Sequence, residues 1–146
     1  MSTFLTNFMR AARSITDAER CIAFDSDMNM QDYLNIDDAE LNKKSFSDLV
    51  SAWVEQAIEG QKAVIANNLI TDPSEAPKTN VHLKDLRMIV AIPIDGYGAI
   101  YLDQPIRRGV FERETVDKIT ELAHRLSESG DMDLSEEEMT EMYAEL

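Results

Sequence analysis

The sequence predicts an α+β domain, an antiparallel or mixed β-sheet flanked by helices, followed by an acidic helical tail. Three observations carry this. Residues 88–94 are a near-continuous apolar strand, Asp95-Gly96 is a preferred hairpin turn, and residues 97–102 return as a second strand. Amphipathic helical stretches stand at the start, middle and end of the chain. After Gly130 the character changes, and residues 131–146 hold seven acids and no base. With 146 residues in all, the reading is one domain over 1–129 and an amphipathic tail over 130–146.

The elements follow in order. Phe4, Leu5, Phe8, Met9, Ala12 and Ile15 fall at helical spacing, with Thr3 available as a cap. Two arginines, several hydroxyl residues and no acid in this stretch also suit a transit peptide, but the apolar periodicity favours a first helix of the fold. Residues 21–24 read as a short strand ending in the turn Asp25-Ser26-Asp27, and a weaker strand runs to Ile36. Ser45 followed by Asp48 predicts a capped helix start. Phe46, Leu49, Val50, Trp53, Val54, Ala57 and Ile58 then form its apolar face, with Gly60 as the stop. Residues 62–66 read as a strand, and a long connection runs over 67–85. After the hairpin, Phe111 opens a last domain helix over 112–126, which presents Val116, Ile119, Leu122, Ala123 and Leu126. In the tail, Ser135 with Glu138 forms a capping box, Leu134 with Met139 a hydrophobic staple, and Met139, Met142, Tyr143 and Leu146 one narrow stripe.

Composition excludes several functions. A net charge of −14 disfavours nucleic acid, whose phosphates require clustered Lys and Arg, and disfavours an anionic membrane surface. No run of 18 apolar residues offers a membrane span. Cys21 is the single cysteine, so no disulfide or multi-cysteine zinc site forms within the chain. That usage, with no secretory signal, places the expected site of action in the cytoplasm.

Five successive stretches resemble the GAF domain family. They are residues 46–57, Lys62-Ala-Val-Ile, Leu86-Arg-Met-Ile-Val-Ala-Ile-Pro-Ile, Gly98-Ala-Ile-Tyr-Leu-Asp103 and Gly109-Val-Phe-Glu-Arg-Glu-Thr115. The family shows an L-R-S-x-x-x-x-P-L-like strand, a G-x-L-Y-L-D-like strand and a phenylalanine opening the last helix. The order and spacing of these stretches over about residues 4–126 carry the likeness more than any one motif. The resemblance implies a regulatory or sensory domain that binds a small molecule between its sheet and covering elements, and that often dimerises through its first and last helices. It implies no particular cofactor.

The chemistry-bearing residues assemble no catalytic constellation, so a non-enzyme is expected. Asp25-x-Asp27-x-Asn29 opens like a calcium loop, but Met30 and Ile36 stand where glycine and glutamate are needed. Cys21 within an apolar strand reads as a small hydrophobe. His82 in the connection and His124 on the last domain helix are single histidines. The expected function is binding of an unidentified small molecule in a pocket under the 67–85 connection, lined by Phe24, Phe46, Leu69, Val90 and Ile100. The alternative is a ligand-free interaction or dimerisation module acting through its terminal helices and tail. A homodimer is expected, with Phe4, Phe8, Ile119, Leu126, Met139 and Tyr143 at the interface and neither nucleic acid nor membrane as partner.

Overall fold

The computed structural model describes residues 3–70, 86–130 and 133–146, with backbone only for 67–70 and 86. In chain order the elements are α1 (Thr3–Thr16), β1 (Arg20–Asp25), β2 (Met30–Leu34), α2 (Asp38–Leu41), α3 (Lys44–Gly60), β3 (Val64–Ile70), β4 (Leu86–Ile94), β5 (Gly98–Pro105), α4 (Arg113–Ser129) and α5 (Glu136–Ala144). The strands form one sheet in the order β2-β1-β5-β4-β3. Every neighbouring pair is antiparallel, which resolves the antiparallel-or-mixed expectation.

Alternation along the strands builds two cores. On one face Cys21, Ala23, Val90, Ile92, Ile100 and Leu102 pack beneath α1, α4 and α5. On the other, Ile22, Phe24, Ile89, Ala91, Ala99 and Tyr101 meet α3. Because α3 lies mainly over β4 and β5, the β1–β2 side of that face is left to the single turn of α2.

Several boundaries differ from the sequence reading for local reasons. α2 occupies a stretch to which the sequence reading assigns no element: the Asp37 carboxylate accepts the Glu40 N–H at 2.8 Å, an N-cap that starts a short helix. α3 then begins at Lys44 without a side-chain cap, so Ser45 lies inside its first turn. The tight link out of α2, with the Lys43 N–H on the Glu40 carbonyl, sets that start. β3 extends to Ile70 and takes in part of the expected connection; residues 71–85 lie outside the described residues. The hairpin turn is three residues, 95–97, with Gly96 at φ 80°. Gly98 is required by close approach, since a Cβ there would stand 1.9 Å from the Phe24 carbonyl oxygen.

Cys21 is fully buried between sheet and α1. Burial pushes its thiol up to about 12, with Arg13 and Arg10 opposing weakly. The stability held in the neutral thiol is complete below the unfolded thiol's pKa of about 8.5, and is lost as pH rises from there toward the native value. At pH 8 the native protein is therefore expected to be inert to a thiol-reactive chromogen, and to release one equivalent on denaturation. Rapid stoichiometric labelling of the folded protein would contradict the packing.

Candidate functional site

The gap left by α3 over β1 and β2 is a cleft of about 360 Å³, within the range of roughly 300–1,000 Å³ that small-molecule sites occupy. Its floor is Ile22 and Phe24 of β1, and Phe46 and Val50 of α3 close one wall. Met28 of the β1–β2 turn, Met30 and Tyr33 of β2, and Leu41 of α2 form the other side. Asp38, Asn42, Ser47 and Ser51 bring polar atoms to the rim. Met30 is 45% exposed, high for a large apolar side chain, and stands at the mouth.

Below the cleft lies a buried charge network. Asp103 is fully buried on β5, opposite Arg20 of β1. Arg20 donates to it through Nε at 2.7 Å and Nη2 at 2.6 Å, a bidentate pair. Arg87 Nη2 donates to Asp103 Oδ1 at 2.8 Å and also to Glu19. The Tyr101 hydroxyl donates to Asp103 Oδ2 at 2.6 Å. Burial alone would lower the Arg20 pKa, but the hydrogen bonds and charge of Asp103 outweigh it and raise it. Burial and the same carboxylate hold the Tyr101 phenol well above its ordinary value. Phe46 joins network to cleft, since the Arg20 guanidinium lies 4.8 Å from its ring centroid and its edge meets Tyr101 at 6.4 Å. Asp103 thus compensates one buried and one half-buried cation, an arrangement that anchors β1, β4 and β5 together.

Of the residues expected to line a pocket, Phe24 and Phe46 meet in the cleft. Val90 and Ile100 do not: both are fully buried on the opposite face, in the core beneath α1 and α4. Alternation decides this, because Ile89, Ala99 and Tyr101 take the α3 face at neighbouring positions. The Leu69 side chain lies outside the described residues, as does His82. The described lining comes from β1, β2, the turn between them, α2 and α3; residues 71–85 of the connection expected to cover it lie outside the described residues. Sequence reasoning missed Met28, Met30, Tyr33, Leu41 and Val50 as lining residues. Asp37 followed by Glu40 was the available signal for α2, and hence for Leu41.

The residues expected at a dimer interface are covered within the chain. Phe4, Phe8, Ile119, Leu126 and Met139 are buried within the chain, and Tyr143 is half-buried against the same core. The tail helix covers them: α5 docks on α1 and α4, with its Ser135–Glu138 capping box formed. Asn7 donates to the Leu134 carbonyl at 3.1 Å, and the Ser14 hydroxyl to Glu136 at 3.3 Å. The turn at Asp25 is filled by its own backbone, since Asp25 Oδ1 accepts the N–H groups of Asp27 and Asn29, both at 2.9 Å. His124 is exposed beside Asp95 and Glu128. Among the described residues no cluster of three or more His, Cys, Asp or Glu side chains could hold a metal ion. No helix among them is long and apolar enough to cross a membrane.

No protein-family model and no curated protein matches the sequence. Solved structures do. A GAF domain/HD domain protein from Geobacter sulfurreducens aligns with a TM-score of 0.56 at 13% identity, over 90% of this chain and 95% of that one. Myxococcus xanthus MglB aligns at TM-score 0.47 and 10% identity, over 99% and 98% of the two chains. The GAF domain of the cyanobacteriochrome TePixJ aligns at TM-score 0.44 and 19% identity, over 89% and 86%. The chain has a GAF-like α+β fold, the likeness to the Geobacter structure carrying that statement.

Proposed function

We propose that this chain is a non-catalytic regulatory module that binds a small molecule in the cleft between β1–β2 and α2–α3. The observation that carries the reading is the uneven covering of the sheet. One face is sealed by α1 and α4 with α5 laid across them, while the other leaves an apolar floor open beneath a polar rim. That combination of apolar walls with a few polar groups is what small-molecule sites present. The GAF-like fold agrees with a sensory role. The alternative, a ligand-free module acting through its terminal helices, has less support, because the apolar residues it would use are buried under α5. A homodimer built on those side chains would first have to displace that helix.

Native mass spectrometry of the protein purified from its own host is expected to show a retained mass of a few hundred daltons. Ser51→Trp places a large side chain on the cleft wall and is expected to abolish that retention while leaving the circular dichroism spectrum unchanged. Equal retention by the two proteins would place the ligand elsewhere. An empty native protein that also fails to bind any member of a fragment set at the cleft would overturn the reading.

A further inference from the structure

We infer that the cleft takes a small organic cation, an ammonium or amidinium group carried on an apolar, ring-bearing body; this rests on reading the cleft as a small-molecule site. The walls set the body. Phe24, Tyr33 and Phe46 bring three aromatic rings to one cavity; ring faces attract cations through their quadrupoles, and since the Arg20 guanidinium already lies over the Phe46 ring, Phe24 and Tyr33 are the rings offered to a ligand cation. Met28 and Met30 add polarisable thioethers that adapt to shape.

The rim sets the charge. Asp38 is the one charged residue among the described lining, and no lysine or arginine joins it. Its carboxylate makes no ion pair or hydrogen bond among the described residues, whereas its neighbours are engaged. Asp37 caps α2, Asp25 accepts the turn N–H groups, and Glu40 pairs with Lys43 at 3.4 Å and Arg20 at 3.6 Å. The first turn of α3 lines the opposite wall with Phe46 and Ser47, and its partial positive charge opposes a cation. A helix end carries only about half a charge, against the full charge of the carboxylate. The whole chain adds to the preference, since a net charge of −14 draws cations toward any cleft on its surface.

The test is a backbone-amide NMR titration of the full chain with three probes sharing one ring: 2-phenylethylammonium, 2-phenylethanol and 3-phenylpropanoate. The cation is expected to shift the amides of Phe24, Tyr33, Leu41 and Phe46 and to bind about tenfold tighter than the alcohol, with the anion weakest. Asp38→Asn is expected to narrow the cation–alcohol gap to about threefold or less. The wild-type chain provides an arm independent of that variant: at about 0.5 M salt, where screening acts within a few ångströms, only the cation should weaken. Equal binding of all three probes at the cleft, or tightest binding of the anion, overturns the cationic class and leaves the small-molecule reading standing. No shift at any cleft amide with any probe overturns both.

Discussion

Asp103→Ala is expected to destabilise the protein by about 3–5 kcal/mol, the cost of removing one partner from a buried ion pair. The substitution leaves the Arg20 and Arg87 guanidinium groups without their shared carboxylate, at side-chain exposures of only 10% and 15%. It also strips the Tyr101 hydroxyl of its acceptor. Glu19 and Glu40 lie at the margins, each with one arginine, and cannot replace a carboxylate that serves both. Tyr101→Phe supplies a graded control. It deletes one donor and keeps the packing, so its cost should be about 1 kcal/mol. Urea denaturation of the two variants and the wild type measures both. A loss below about 1 kcal/mol for Asp103→Ala would mean that the arginines are solvated and that the network does not anchor the sheet.

Deleting residues 131–146 is the second large effect, expected at about 3 kcal/mol. It removes Met139, which is completely buried, and uncovers the core against which Leu134, Met142, Tyr143 and Leu146 pack. A nine-residue helix is too short to persist alone in water, so α5 exists because it is docked. Hydrogen exchange is the direct readout. In the intact chain the α5 amides should be protected, and in the shortened chain protection should fall along α1 and α4. The shortened chain is also expected to self-associate, since Phe4, Phe8, Ile119 and Leu126 lose part of their cover. Fast exchange through α5 in the intact protein, with no change elsewhere on deletion, would show that the tail does not dock on its own domain.

The elements with strong local signals were legible. The hairpin announced itself through an apolar run and Asp95-Gly96, and the tail helix through Ser135, Glu138 and the stripe behind them; both stand where those signals put them. α2 was not legible in the same way. A four-residue helix has no room for periodicity, and its cap was the only mark it carried. Of the cleft, Phe24 and Phe46 were readable as large apolar side chains on a strand and a helix. Met28 and Met30 were not, because a methionine beside a turn carries no sign of what it will face.

Composition and periodicity by themselves determined that this chain folds as α+β, that its tail forms an amphipathic helix, and that Cys21 is packed rather than reactive. These follow from spacing along the chain, which acts over a few residues. Tertiary structure alone decided which sheet face each strand residue took, and so moved Val90 and Ile100 away from the cleft while bringing Phe24 beside Phe46. It alone brought Arg20 of β1 against Asp103, 83 residues further along the chain, where Arg87 from the partner strand of the hairpin joins them. It also turned the apolar faces of the first and last domain helices inward beneath α5. The reason is the same in each case. An alternating strand offers two equivalent faces, and only the helices that pack on them decide which is which.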